Sequence, residues 1–167
     1  LPVFFEATPI PDYREADYIR IMSALHGLMR RYRTIRWILV MGPPVALFGK
    51  SGKWEFPDDV LAAYRHENML IEVMFPITWG GKWDYPYPEA QALIQDMHDK
   101  FGSAKLIWGS DMPNVERFCT YRQSLDYVRR YCNFLKPGEK DAILGGNIDA
   151  LLRISERCAG PQAQAAK

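Results

Sequence analysis

Residues 105–118 read KLIWGSDMPNVERF, and this stretch decides the fold. Leu106, Ile107 and Trp108 form the apolar run of a buried strand; Gly109, Ser110 and Asp111 follow at once, and Pro113 stops any regular continuation. A carboxylate buried without a partner costs several kcal/mol, so Asp111 needs a cation, strong donors or water around it to stay ionised. What the rest of the chain can place there sets the reading of the whole protein.

Working outward, the same unit recurs. "LPVFFEA" is an apolar run ending at Glu6, and Glu15 to Arg33 carries Ile19, Met22, Leu25 and Met29 at helical spacing. "IRWILVM" (35–41) is a second buried strand, followed by a Gly/Pro loop and by "PDDVLAAYRHE", which Pro57 opens as a helix. "MLIEVMF" (69–75) is the third strand. "PEAQALIQDMHDKFG" is the third helix, with Pro88 at its start and Gly102 at its end. The 105–109 strand with a helix over about 120–131 makes the fourth pair, and "LKPGEKDAILGGNIDALLRI" is a helical coda interrupted at Gly145-Gly146. Strands alternating with helices imply an α/β fold with a parallel sheet and with function at the C-terminal ends of the strands, where Glu6, Met41 to Pro43, the loop after Phe75 and Asp111 all fall.

Composition narrows the classes. The 167 residues are 48% hydrophobic, enough for one globular core. Lys+Arg of 21 against Asp+Glu of 20 leaves a charge of +1, which gives no global field to recruit nucleic acid or an anionic membrane. No apolar run approaches the roughly 20 residues of a membrane span, so a soluble, cytoplasmic protein is expected. Cys119, Cys132 and Cys158 are odd in number and lack CxxC spacing, which fits free thiols.

"KLIWGSDMP", followed by a helix and then by "ILGGNIDALLRI", resembles the C-terminal half of the amidohydrolase-related (amidohydrolase-2) proteins of the metal-dependent hydrolase superfamily, which includes aminocarboxymuconate semialdehyde decarboxylase-like enzymes. The resemblance covers about residues 1 to 154. It implies that residues 1–155 are the C-terminal half, four βα units, of a (β/α)8 TIM barrel, with 156–167 a flexible tail. It also implies a divalent metal, with zinc expected ahead of manganese or magnesium. Asp111 matches the family's acid at the end of strand eight, which binds or faces the metal and moves protons for the activated water or the substrate. That gives the strand-end carboxylate a task.

The departures matter equally. Where the family's strand five ends in a metal-ligand histidine this chain has Glu6, and where strand six ends in His-x-Gly-Gly it has Val40-Met41-Gly42-Pro43. Valine cannot ligate a metal. His26, His66 and His98 fall in or near helix patterns, away from the strand ends, and the family's first-strand ligands have no counterpart. Glu6 is either a substitute oxygen ligand or the partner of an arginine across the mouth.

Other residues carry weaker signals. Trp79, Trp83, Tyr85 and Tyr87 crowd the loop after the third strand, either as the wall of a pocket for a flat substrate or as an oligomer contact. Arg117 follows Asp111 closely, either as a fork that holds a substrate carboxylate or as part of an ordinary solvated or ion-paired surface. Glu72, inside an apolar strand, points either into the lumen near a polar site or outward against a basic helix residue, with the outward direction expected ahead of the other. "FGKSGKW" fails the phosphate-loop spacing at Pro44. Cys119 has no adjacent histidine base for a nucleophilic role.

The expectation is therefore a metal-dependent hydrolase or decarboxylase of a small cyclic or aromatic carboxylated compound. Asp111 and Glu6 would act at the metal, Asp111 as the catalytic acid-base, and Trp79, Trp83, Tyr85 and Arg117 would contact substrate. A non-catalytic half-barrel subunit that stabilises an assembly is the rival. Either way, a complementary N-terminal half or a second copy is expected as partner, because four strands cut from a barrel leave apolar edges open.

Overall fold

The computed structural model describes residues 1–7, 14–73 and 84–158. Strand β1 (Pro2–Glu6) leads to helix α1 (Glu15–Arg31), and β2 (Arg36–Val40) to a short helix α2 (Val45–Phe48). A two-residue hairpin, β3 (Gly49–Lys50) and β4 (Lys53–Trp54), precedes α3 (Asp58–Arg65) and β5 (Met69–Val73). Then come α4 (Pro88–Phe101), β6 (Leu106–Trp108) and α5 (Tyr121–Asp126), which widens into a π-turn over Tyr127–Tyr131. Helices α6 (Pro137–Asp141) and α7 (Asn147–Cys158) complete the described chain. No described helix is long and apolar enough to cross a membrane.

The four longer strands form one parallel sheet in the order β1-β2-β5-β6. Its register pairs Phe4 with Ile38, Ile38 with Leu70 and Glu72 with Ile107. Because side chains alternate along a strand, one face carries Trp37, Leu39, Met69, Ile71, Val73 and Leu106, and helices α1, α3 and α4 bury it. The opposite face carries Ile38, Val40, Leu70 and Ile107, and α7 covers part of it through Ile148 and Leu151.

Local sequence explains the helices. In α1 the buried positions are Tyr18, Met22, Leu25 and Met29, so Tyr18 rather than Ile19 leads the core stripe. Its hydroxyl pairs with that of Tyr64 from α3, which lets a phenol enter an apolar core without an unpaired polar atom. Pro57 caps α3 from extended backbone, one position before the helix rather than inside it. Thr120 begins α5 with a capping box, its Oγ1 accepting from Gln123 N at 3.2 Å while Thr120 N donates to Gln123 Oε1 at 2.9 Å.

The hairpin was not expected from the sequence. "FGKSGKW" turns on Ser51 and Gly52, with φ of 50° and 78°, the left-handed pair that a two-residue hairpin loop requires. Trp54 then docks on α4, donating from Nε1 to Leu93 O at 3.0 Å and from its backbone N to Asp96 Oδ2 at 2.8 Å, and it stacks on Phe56. The lysines of this segment serve a structural turn.

The coda has a structural logic as well. Gly145 breaks the helix, and Asn147 of "ILGGN" donates from Nδ2 to Ser103 O at 2.8 Å and to Leu106 O at 2.7 Å. One amide thus ties α7 to the start of β6, at the edge of the sheet opposite Asp111. Helix α7 runs to Cys158, three residues beyond the expected domain limit of 155, and the rest of the expected tail lies outside the described residues.

Candidate active site

All four strands of a parallel sheet end on one edge, and that edge carries three acids. Glu6 is the last residue of β1 and is exposed; Glu72 lies in β5, one residue from its end; Asp111 lies three residues past β6. Both Glu6 and Asp111 act electrostatically on Glu72, which places the three carboxyl groups in one neighbourhood.

Glu72 lies on the face of the sheet away from α1, α3 and α4, against the expectation that it points toward a basic residue of a helix. The reason is the period of the strand. Met69, Ile71 and Val73 take the helix-covered side, so Leu70 and Glu72 take the other. Its Oε2 accepts the backbone N–H of Met41 at 2.6 Å. Its Oε1 lies over Gly109, where a Cβ would stand 1.6 Å away. The carboxyl group therefore bridges the ends of β2 and β6. Met41 and Gly42 both adopt left-handed φ, 65° and 61°, so the chain leaves β2 in a sharp turn that this carboxylate holds by its first N–H. Burial pushes the Glu72 carboxyl above the usual glutamate range; Asp111 and Glu6 push the same way, and the Met41 N–H only partly offsets them.

Asp111 itself sits at a φ of 52°, a left-handed conformation that aspartate tolerates better than most residues. Gly109 N still bonds Val73 O at 3.1 Å, which extends the ladder one residue past β6 before the chain turns. Asn114 Nδ2 donates to Asp111 Oδ2 at 2.8 Å, and Val115 N donates to the Asp111 carbonyl at 3.1 Å. The turn is thus capped by the backbone oxygen, and the half-buried side chain is steadied by one amide.

The remaining expected residues are placed less closely together. Arg117 is exposed on the 3-10 turn Asn114–Arg117. Tyr85 makes edge-on ring contacts with Tyr131 at 5.2 Å and with Tyr87 at 5.5 Å, which ties it to the end of α5. Trp79 and Trp83 lie outside the described residues. His26 and His66 meet edge-on between α1 and the end of α3, and His98 of α4 bonds Glu139, so none reaches the C-terminal edge. Burial raises the Cys119 thiol and pushes Cys132 up to about 12, which keeps both thiols protonated.

Comparison with known proteins gives the family. The amidohydrolase family model matches residues 14–154, most of the chain. The chain belongs to the amidohydrolase family. The chain is 32% identical over 153 residues to an L-fucono-1,5-lactonase from Burkholderia ambifaria, an alignment covering 86% of this chain and 50% of the lactonase. Its fold is similar to that of a crystallised amidohydrolase with bound zinc from Burkholderia multivorans, with a TM-score of 0.59 at 13% identity over 87% of this chain and 50% of the other. The chain thus spans about half the length of each of these relatives.

A zinc ion needs three or four protein donors at about 2 Å. Among the described residues no group of three His, Cys, Asp or Glu side chains is placed to hold a metal. Val40 ends β2 between the two candidate oxygen donors, Glu6 and Asp111. These residues do not fit a zinc site of their own, and at most contribute single oxygens to one.

Proposed function

We propose that this chain is the C-terminal half of a (β/α)8-barrel hydrolase that opens a small cyclic carbonyl compound of the lactone type, with Asp111 as its proton-transfer residue. The observation that carries the reading is the placement of Asp111, delivered past the end of β6 on left-handed backbone and steadied by Asn114 on one oxygen. Membership in the amidohydrolase family supports hydrolysis, and the lactonase relative favours ring opening over decarboxylation.

In this reading the second oxygen of Asp111 takes a proton from water as the water oxygen attacks the ring carbonyl carbon. The bond between that carbon and the ring oxygen then breaks. The proton passes from Asp111 to the departing ring oxygen, and the product is an open hydroxy acid. Arg117, at the rim, donates to a substrate oxygen.

Lactone hydrolysis by the full protein, followed as acid release in a weakly buffered indicator, tests the reading, with Asp111→Asn as the control that should be inactive. Among the described residues no three metal-binding side chains cluster, which favours a second reading, a non-catalytic half-barrel subunit. It predicts no turnover by the wild type beyond the Asp111→Asn background.

A further inference from the structure

The half-buried carboxyl of Glu72 has one oxygen satisfied and one not. Oε2 is held by Met41 N–H, and Oε1 takes no donor from the described residues. It lies on the inner face of the sheet, over the backbone of Gly109, two residues before Asp111 on the next strand. The absence of a side chain at residue 109 is what makes room for it: any Cβ there would drive the carboxyl out of this position. A half-buried carboxyl oxygen takes its donor from water or from a ligand, and a ligand hydroxyl is a neutral donor of suitable size.

Building on the hydrolase reading of the same edge, we propose that Glu72 is a specificity-determining residue that binds a hydroxyl group of the substrate and selects neutral, polyhydroxylated rings over carboxylated ones. The distribution of charge supports this. Glu6, Glu72 and Asp111 share the C-terminal edge, whereas Arg36 begins β2 and Lys105 precedes β6, both at the opposite edge. A substrate carboxylate placed beside Glu72 would meet Asp111 beyond the neighbouring β6 and Glu6 at the end of β1 two strands away, and like charges juxtaposed in a partly desolvated site discriminate strongly. Arg117 lies on the exposed turn beyond Asp111, where it reaches oxygen atoms of either ring type.

The test uses rings that the enzyme cannot open. A polyhydroxylated δ-lactam and the same lactam bearing a carboxylate in place of its hydroxymethyl group are titrated by calorimetry into the full protein at neutral pH, as wild type and as Glu72→Gln. The neutral lactam should bind wild type at least tenfold more tightly than the carboxylated one. Glu72→Gln keeps an acceptor for Met41 N–H, and in a variant with unchanged circular dichroism this preference should shrink at least fivefold, which a purely structural role would not produce. Equal or tighter binding of the carboxylated ring by wild type, an unchanged preference in folded Glu72→Gln, or binding of neither ring would overturn the proposal. Turnover distinguishes it from the hydrolase reading. Binding with the stated preference but no lactone hydrolysis sinks the hydrolase reading alone, whereas hydrolysis without the preference sinks the Glu72 assignment alone.

Discussion

Glu72 occupies the space that a side chain on Gly109 would need: Oε1 of Glu72 lies 1.6 Å from the position of a Cβ built on residue 109. The glycine directly after β6 thus leaves room for the carboxyl group of Glu72, one residue before the end of the neighbouring β5. The pairing of Val73 with Trp108 sets the two side by side, and the same register carries the chain on to Asp111.

Gly109→Ala should therefore destabilise the protein by about 1–3 kcal/mol, the usual cost of forcing an extra methyl group into a packed position. Combining it with Glu72→Ala should remove most of that added cost, since the clash is with the carboxyl group. Urea unfolding of the two single variants and the double variant measures the coupling. Additive effects would mean that the two residues do not share this space.

A second consequence concerns pH. In the folded chain the Glu72 carboxyl is held above its ordinary range by burial first and by Asp111 and Glu6 next. At low pH it is protonated in both folded and unfolded chains. As pH rises past the ordinary glutamate value the unfolded chain releases the proton first, and folding loses stability until the folded carboxyl ionises too. Glu72→Gln lacks that loss. Its melting temperature relative to wild type should rise from pH 4 to pH 7, and scanning calorimetry across that interval reads the trend.

Asn147 gives a prediction far from the site. Its amide satisfies two carbonyls, Ser103 O and Leu106 O, at the base of β6. Asn147→Ala should cost about 1–3 kcal/mol by leaving partly buried acceptors unpaired. Because the contact is at the opposite edge from Asp111, any activity of the folded variant should be unchanged. A stability equal to wild type in chemical denaturation would remove this role.

The two outer strands make a prediction about association. Among the described residues β1 pairs only with β2, and β6 only with β5; Phe4 on β1 is 54% exposed. Unpaired strand edges with apolar side chains invite further pairing. Light scattering on the 167-residue chain should give a mass above 19.3 kDa that grows with concentration. A mass constant at that value would defeat the edge argument.

Much of this architecture is legible in the sequence, for physical reasons that also mark its limits. Parallel strands buried on both faces are short apolar runs, and proline and glycine punctuate the helices. The strands at 36–40, 69–73 and 106–108 and the helix at 88–101 therefore stand out. The hairpin at Gly49–Trp54 does not, because two-residue strands carry no period and their turn chemistry resembles a loop. Asp111 is visible because a carboxylate directly after an apolar strand is costly unless used. Glu72 is equally visible, but its direction depends on which alternate set of β5 the helices cover. The signal was present in Met69, Ile71 and Val73, whose even spacing assigns Glu72 to the other face. That the carboxyl reaches Met41 and Gly109 is a matter of register between three strands, which no single segment encodes.

The most direct test of the central claim is the turnover number for a 1,5-lactone measured on the full protein as wild type and as Asp111→Asn. Asn keeps the size of the side chain and can still bond Asn114, but it cannot accept and return the proton of the attacking water. The account predicts a loss of about 10²-fold or more in kcat, the usual contribution of a positioned acid-base group, with KM little changed and the melting temperature preserved. Turnover by Asp111→Asn within a few-fold of a clearly active wild type would contradict it.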